Sequence, residues 1–182
     1  GISLRKIAKI SNVSQTAPYR HFSSKEHLLA DVTKLGFENF SFKLSSSRQK
    51  SNPIENLVDI GIKYIDFGMK NQNIISLMFD YPLPKSDYPE LLLSANNAFV
   101  ILQNRVKVFH KKDASKNQLN SMALHAFTHG LLNIIQMNER IDQGTKISTK
   151  DLAKSSDFYK ASKKVKINLR KLLKDFIKNL EF

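Results

Sequence analysis

The sequence predicts an all-α protein, and three observations support this prediction. Apolar residues recur at intervals of three and four along most of the chain, as they do on one face of a helix. No stretch of useful length alternates apolar and polar residues in the manner of a strand. Serines, prolines and polar clusters interrupt the helical repeat where helices are expected to begin or end. With 182 residues, the chain is long enough to bury a substantial core.

The first elements are predicted in residues 3–29, where two short helices are separated by a tight turn. Apolar or small residues recur at intervals of three and four between Leu4 and Ser11, and Ser3 precedes them as the expected N-cap. Asn12 then breaks the pattern, and asparagine tolerates the left-handed conformation that a tight turn requires. The spacing is that of a helix-turn-helix unit, whose second helix lies in the DNA major groove.

The next two helix starts are also marked by serine. Ser14 is expected to cap the second helix, and Ser23 and Glu26 have the spacing of a capping box at the start of the third. Pro18 disfavours a helical conformation at Ala17, so we expect a loose or 3₁₀-like first turn in the second helix.

The order of residue types adds to the evidence from spacing. Ser-Leu-Arg-Lys-Ile-Ala opens the segment, Val-Ser follows the turn, and Ala-Pro-Tyr-Arg-His-Phe precedes Lys-Glu and Leu-Leu. This order resembles the DNA-binding domain of TetR/AcrR-type bacterial regulators. The family usually has glycine where Asn12 stands, and its first helix is expected before Gly1, so we expect the chain to be the retained part of a longer one. The resemblance implies a DNA-contacting set of Ser3, Arg5, Gln15, Thr16, Ala17, Tyr19, Arg20, His21 and Lys25.

A helical projection of the second helix supports the same outward face. Pro18 and Phe22 mark its buried side, and the remaining side chains offer hydrogen-bond donors, acceptors and a planar cation to bases and phosphates. We expect Thr16, Tyr19 and Arg20 to read or clamp the operator. Phosphate contacts are expected from Arg5, His21 and Lys25. An ordinary solvated helix is the alternative.

Further helices are predicted along the rest of the chain. The third continues to about residue 44, and the polar segment 45–51 is the candidate boundary between a DNA-binding domain, 1–44, and an effector-binding and dimerisation domain, 45–182. A mostly buried helix is predicted from Pro53 to about Lys70. A short apolar segment at 74–79 and a proline-rich loop at 80–89 follow it. The remaining predicted helices span 90–109, 115–136 and about 158–180, with a polar connection at 144–157.

Composition restricts the class of partner. The chain has 29 basic and 16 acidic residues, a net charge of +13, which favours a polyanionic partner such as nucleic acid, with an anionic membrane surface as the alternative. Basic residues exceed acidic ones by six to two in residues 1–34 and by twelve to five in residues 140–182. The absence of cysteine excludes disulfides and thiolate metal sites and fits a cytoplasmic protein. No apolar run reaches the roughly 18 residues of a membrane span, and no signal-peptide pattern is present.

A second, weaker resemblance concerns the body of the chain. Residues 71–79, together with Ala123 and the His-Gly-Leu at 129–131, resemble a TetR/AcrR subgroup whose effector domain pairs a tryptophan with His-Gly, and His125 occupies the tryptophan position. Aromatic and methionine side chains at helical spacing are compatible with a cavity or with a solid core, and the resemblance favours a cavity. The candidate ligand-binding residues are Tyr64, Phe67, Met78, Phe79, Phe99, Met122, His125, Phe127 and His129. His125 and His129 also have metal-ligand spacing, but two imidazoles alone do not form a zinc site, and neither a metal nor a cofactor is expected.

These observations predict a transcriptional regulator rather than an enzyme. The sequence has no glycine-rich phosphate loop, no nucleophile elbow and no paired carboxylates on one helix. We expect a repressor that binds a double-stranded operator as a homodimer and is released by a small, largely uncharged apolar or aromatic molecule. The predicted dimer interface uses helices 115–136 and 158–180, with Leu131, Leu169, Leu172 and Phe176. The alternative is a basic helical membrane-surface or scaffold protein with a vestigial DNA-binding head.

Overall fold

Eight α-helices and two short 3₁₀ turns form the part of the chain that the structure describes, and that part contains no strand. The structure is a computed structural model that describes residues 3–46, 49–109, 113–144 and 156–180. The helices are α1 (Leu4–Ile10), α2 (Lys25–Ser45), α3 (Pro53–Lys70), α4 (Gln72–Phe79), α5 (Pro89–Val106), α6 (Ala114–Gln143), α7 (Asp157–Ile167) and α8 (Leu169–Asn179), and the 3₁₀ turns are Ala17–Arg20 and Lys85–Asp87. The prediction of an all-α fold is confirmed. None of the described helices is long and apolar enough to cross a membrane.

The first helix and its turn form as the sequence predicts. The Lys6 backbone N–H donates to Ser3 Oγ at 3.2 Å, which makes Ser3 the N-cap of α1. Asn12 adopts a φ of 54°, in the left-handed region, and reverses the chain after α1. The segment after this turn is a single 3₁₀ turn rather than an α-helix beginning at Ser14. Ser14 Oγ lies 3.3 Å from Thr16 Oγ1, so the two hydroxyls pair with each other at the position where a cap was expected.

The start of α2 differs from the predicted capping box. Ser24, not Ser23, is the N-cap, and its Oγ accepts from the His27 backbone N–H at 3.0 Å. The His27 side chain bonds to the residue before the cap, because its Nδ1 accepts from the Ser23 backbone N–H at 3.3 Å. The cap was therefore predicted one residue too early, at Ser23.

Helix α3 is the central element of the body, and its bounds match the prediction. Asn52 caps it through bonds to the Ile54 and Glu55 backbone N–H groups, at 2.9 and 3.4 Å. It packs against α2, α4, α5, α6 and α8. The crossing with α6 is close at Gly68, where an added Cβ would lie 2.3 Å from Leu132 Cδ2. Only glycine fits at this position unless Leu132 moves.

Helix α2 connects the head, which comprises α1 and the 3₁₀ turn Ala17–Arg20, to the body, which comprises α3 to α8. Phe37, Phe40 and Leu44 are all at most 3% exposed and are part of one core with α3, α5, α6 and α8. The Phe40 ring packs edge-on against the Tyr64 ring, with centroids 4.9 Å apart. The division of the chain into a DNA-binding domain, 1–44, and an effector-binding and dimerisation domain, 45–182, stays a prediction.

The C-terminal helix was predicted as one element from 158 to 180, but the structure has two. Asn168 separates α7 from α8, and its side-chain N–H donates to the Lys164 carbonyl at 2.9 Å. Helix α6 extends to Gln143, beyond the predicted end at 136. Most of the predicted connection 144–157 lies outside the described residues.

Candidate DNA-binding surface and ligand cavity

The side chains predicted to contact DNA are mostly exposed on α1 and on the 3₁₀ turn Ala17–Arg20. Arg5, Gln15, Thr16, Arg20 and His21 are exposed, as is Tyr19 at 52%. Ala17 and Lys25 are half-buried, and the Ser3 hydroxyl is occupied as the cap of α1. The head therefore presents a polar and basic surface whose groups are of the kinds that pair with base edges and phosphates.

The 3₁₀ turn is held in place by Pro18 and Phe22, which are half-buried. The Phe22 backbone N–H donates to the Pro18 carbonyl at 2.9 Å, and the Phe22 ring packs edge-on against His27 with centroids 5.8 Å apart. Tyr19 and Arg20 lie between these two anchors and are directed outward. The apolar side of the head is incompletely covered, since Ile10 is 76% and Val13 49% exposed.

A cavity of about 150 Å³ lies in the body, among α2, α3, α4, α5 and α6. Its walls are almost entirely apolar, and Tyr64 and His125 are the two lining side chains that carry hydrogen-bonding groups. Met122 lines the cavity and is 52% exposed, so it lies at the opening. The full lining comprises Phe37, Phe40, Leu44, Ile60, Tyr64, Phe79, Ala95, Ala98, Phe99, Leu102, Met122 and His125.

Behind the polar wall of this cavity, three side chains form a chain of contacts. Tyr64 Oη lies 2.8 Å from His129 Nδ1, and His129 Nε2 lies 3.8 Å from Asp80 Oδ1. Burial, together with the Asp80 carboxylate, raises the pKa of Tyr64, which stays protonated. Burial and the neighbouring His129 ring lower the pKa of His125 to about 4, so its imidazole is neutral at physiological pH.

Comparison with known protein families gives a match to the N-terminal residues. Residues 1–32 match the family model of bacterial regulatory proteins, tetR family. This match identifies the N-terminal segment as a TetR-type DNA-binding domain. It supports a DNA-binding transcriptional regulator, and the matched residues contain α1, the 3₁₀ turn and the start of α2.

Among solved structures, the chain is similar to a protein of unknown function from Rhodococcus sp. RHA1, with a TM-score of 0.65 and 17% identity. The similarity covers 88% of this chain and 84% of the other and shows a shared fold. Comparison with curated proteins finds no significant match.

The cavity contains only some of the residues predicted for the effector site. Tyr64, Phe79, Phe99, Met122 and His125 line it, and His129 lies behind Tyr64.

The other three predicted ligand residues lie elsewhere. Phe67 and Met78 are core residues, at 8% and 0% exposure. Phe127 stacks on Phe176 of α8, with centroids 4.0 Å apart and planes 5° from parallel. Helical spacing did not reveal that α6 turns Phe127 away from the cavity.

Helix α2 supplies three of the seven lining residues that were not predicted. Phe37, Phe40 and Leu44 recur at intervals of three and four on one face of α2, a signal that was present in the sequence. Because this helix was assigned to the DNA-binding domain, 1–44, its aromatic face was not assigned to the cavity.

The predicted dimer residues differ in their exposure. Leu131 is 6% exposed within the subunit, so its prediction as an interface residue is corrected: its side chain packs in the core of its own chain. Leu169, Leu172 and Phe176 on α8 are half-buried and keep part of their surface accessible.

Among the described residues, no cluster of three or more metal-ligating side chains is found near His125 and His129 or elsewhere.

Proposed function

We propose that this chain is a repressor that binds its operator as a homodimer and leaves it when a small, uncharged apolar or aromatic molecule enters the cavity. In this proposal Thr16, Tyr19 and Arg20 read or clamp the operator, and Arg5, His21 and Lys25 hold phosphates. The observation that carries the ligand-controlled part is the continuity of α2. Its first turn packs against the head through His27, and its later turns line the cavity through Phe37, Phe40 and Leu44.

The coupling follows from the packing of α2 on α5, the two helices between which much of the cavity lies. Near the head, the same two helices are joined by the ion pair of Lys34 Nζ with Glu90 Oε2 at 2.5 Å. The His27 ring also stacks on Tyr88, with centroids 6.4 Å apart. A ligand that favours a different spacing of α2 and α5 would shift the position of the head, provided it binds the two arrangements with unequal affinity.

The proposed dimer interface is centred on the outer face of α6. From Asn117 to Asn138 the helix contains no Asp, Glu, Lys or Arg, although a quarter of the whole chain is charged. Leu119 is 68% exposed and Met122 is 52% exposed. Ala126 and Gly130, each about one helical turn further along, are also exposed. Interface centres are depleted in charge in this way. Exposed charges on α8, such as Lys171 and Asp175, flank its half-buried Leu172 and Phe176, which extend the apolar surface beside α6.

Gly130 gives separate support to this interface. It lies inside a 30-residue helix, where glycine costs roughly 1 kcal/mol relative to alanine. Unlike Gly68, it has no packing reason for this cost among the described residues, where an added Cβ would meet nothing within 4 Å. Close approach of a second α6 helix supplies such a reason, because a residue without a side chain allows two helices to cross at short distance.

The membrane-surface alternative receives less support from α8. Its apolar stripe is turned toward α3, and Leu173 and Ile177 are fully buried there. The basic residues Arg170 and Lys174 are paired with Glu55. A helix in this arrangement has little apolar surface left for insertion into a bilayer.

The test of the proposed function begins with selection of duplexes from a randomised pool. The selected duplex and a scrambled duplex of equal length are then compared at fixed salt, together with vesicles of anionic lipid. We expect tight binding to the selected duplex, much weaker binding to the scrambled one and no preference for vesicles. Equal affinity for both duplexes, or stronger binding to vesicles, would contradict the proposal.

A further inference from the structure

The polar groups of the cavity are few and close together. The His125 ring lies among other rings, with its centroid 5.7 Å from Tyr64, 5.2 Å from Phe79 and 5.9 Å from His129. Both Tyr64 and His125 line the cavity, whereas the remaining wall offers only carbon and one methionine sulfur. Any directional contact with a guest is therefore made at this one end.

The hydrogen-bonding direction of Tyr64 follows from its partners. We assign the His129 N–H to Nε2, which faces the Asp80 carboxylate at 3.8 Å, and this assignment makes Nδ1 an acceptor. The Tyr64 hydroxyl then donates to Nδ1 across 2.8 Å. With its proton engaged, the Tyr64 oxygen is left as an acceptor toward the cavity.

The His125 imidazole is the uncommitted group. Within the described residues it has ring contacts but no hydrogen bond, and its neutral form carries one N–H donor and one acceptor nitrogen. The ring is half-buried, and neither of its nitrogens is among the fully buried unpaired atoms of the described residues, so another molecule can reach them. A guest that hydrogen-bonds to this ring satisfies a group that the protein itself leaves open.

We propose that the cavity selects an uncharged, single-ring aromatic molecule with one hydroxyl or amine N–H, which donates to the open ring nitrogen of His125. This inference rests on the proposed ligand-controlled function and narrows the class of ligand. The volume of about 150 Å³ sets the size, because an apolar cavity of about 150 Å³ in another protein accommodates benzene. The aromatic walls at Phe40, Phe79 and Phe99 suit the flat faces of such a ring.

Charged guests are disfavoured by the same wall. The lining contains no Lys or Arg, and the Asp80 carboxylate lies beyond His129 on the far side of Tyr64. An aromatic carboxylate would lose its hydration without gaining a cationic partner, which is costly in an apolar site. Protonation of His125 would supply a cation, but burial opposes that protonation.

Three matched probes test the inference: para-cresol, para-xylene and para-toluate, which place a hydroxyl, a methyl or a carboxylate on the same methyl-substituted ring. Binding is measured by calorimetry on the full chain at neutral pH. We expect para-cresol to bind roughly tenfold more tightly than para-xylene, and para-toluate to bind more weakly than both. The His125→Phe variant should lose the preference for para-cresol over para-xylene, and His125→Asn, which keeps a donor and an acceptor, should retain part of it.

The possible results are distinguishable. If para-xylene binds as tightly as para-cresol, or if para-toluate binds best, the proposed ligand class is wrong while a ligand-controlled repressor remains. If His125→Phe keeps the wild-type preference, His125 is not the recognising group. Should none of the three probes bind, both the ligand class and the ligand-controlled part of the proposed function are overturned, whereas DNA binding is judged by the duplex experiment alone. Melting of the ligand-free variants shows whether each is folded, and His125→Asn preserves the test if His125→Phe is not.

Discussion

His125 illustrates how one buried side chain determines the character of the cavity. Its pKa is lowered to about 4 by burial and by the adjacent His129 ring, relative to an ordinary value of 6.5. A histidine whose pKa is lowered by folding binds its proton more readily in the unfolded state. Its contribution to stability is therefore intact above about pH 6.5 and declines as the pH falls toward 4.

Replacing His125 with Phe should make the protein less sensitive to acid across this interval. The difference in unfolding free energy between the variant and the unmodified protein should shift in favour of the variant between neutral pH and pH 4, by at most about 3 kcal/mol. Urea unfolding at a series of pH values measures this difference. A constant difference across the series would show that His125 does not titrate as an isolated buried ring.

At the DNA-binding surface, Arg20 and Lys25 are expected to have different functions. Arg20 is exposed on the 3₁₀ turn, whereas Lys25 is half-buried at the first position of α2. Arg20→Ala should cost about 1–3 kcal/mol on the selected duplex and relax its sequence preference. Lys25→Ala should weaken binding to selected and scrambled duplexes alike and reduce the salt dependence. Gel-shift titrations at several salt concentrations test both variants. Unchanged DNA affinity in both would contradict the assignment of Arg20 to base contacts and of Lys25 to phosphate contacts.

At the scale of whole helices, an ion-pair cluster holds α8 against the start of α3. Arg170 Nη2 and Lys174 Nζ lie 2.6 and 2.7 Å from the two oxygens of Glu55. Asp59 is paired with Arg170 at 3.1 Å and with Lys50 at 2.5 Å. The hydrogen bond from Lys174, followed by that from Arg170, lowers the pKa of Glu55 below its ordinary value of 4.5 against the opposing effect of burial.

The Glu55→Gln substitution should destabilise the protein at neutral pH but have little effect in acid. A carboxylate with a lowered pKa stabilises the folded state above pH 4.5, and this contribution is lost as the pH falls through the lowered value. Thermal melts of the variant and the unmodified chain at neutral and acidic pH provide the comparison. Asp66→Asn, which removes an exposed carboxylate from the same helix, is the matched control. An equal effect of Glu55→Gln at both pH values would exclude an electrostatic role.

Prediction from sequence was most accurate where local signals agreed. Pro53 and a dense apolar pattern defined α3, and its bounds were predicted correctly. The segment around Pro18 was harder, because proline permits either a helix start or a 3₁₀ turn and the outcome depends on packing against α2. The break at Asn168 has no proline or glycine and was not predicted. Similarly, the cavity requires the relative rotation of five helices, which periodicity within one helix does not specify.

For the whole molecule, we propose that a dimer interface brings two heads to one operator. The proposed interface lies on the outer face of α6, a long helix that combines exposed apolar side chains with an absence of charge from 117 to 138. In a two-fold dimer the same face of each subunit would be in contact. We expect such a dimer to present two DNA-contacting surfaces about one DNA turn, ~34 Å, or slightly more apart.

Gly130→Leu should weaken the dimer, because the added side chain fits the isolated subunit but separates the two α6 helices. The Cβ position is open within the chain, so folding of the subunit should be preserved. Sedimentation velocity over a range of concentrations measures the effect. Asn97→Leu, which enlarges an exposed side chain on α5, serves as the control. A monomeric unmodified chain at micromolar concentration, or a Gly130→Leu dimer of unchanged affinity, would contradict the proposed interface.

The most direct test of the account is the effect of a cavity ligand on DNA affinity. Fluorescence anisotropy of the selected duplex should be titrated with the full chain at fixed salt, with and without saturating para-cresol. We expect para-cresol to weaken binding by roughly 5–150-fold, the usual range of coupling between two sites. The same ligand should have little effect on DNA binding by the His125→Phe variant. If para-cresol occupies the cavity and the affinity for the duplex is unchanged, the cavity does not control the DNA-binding head.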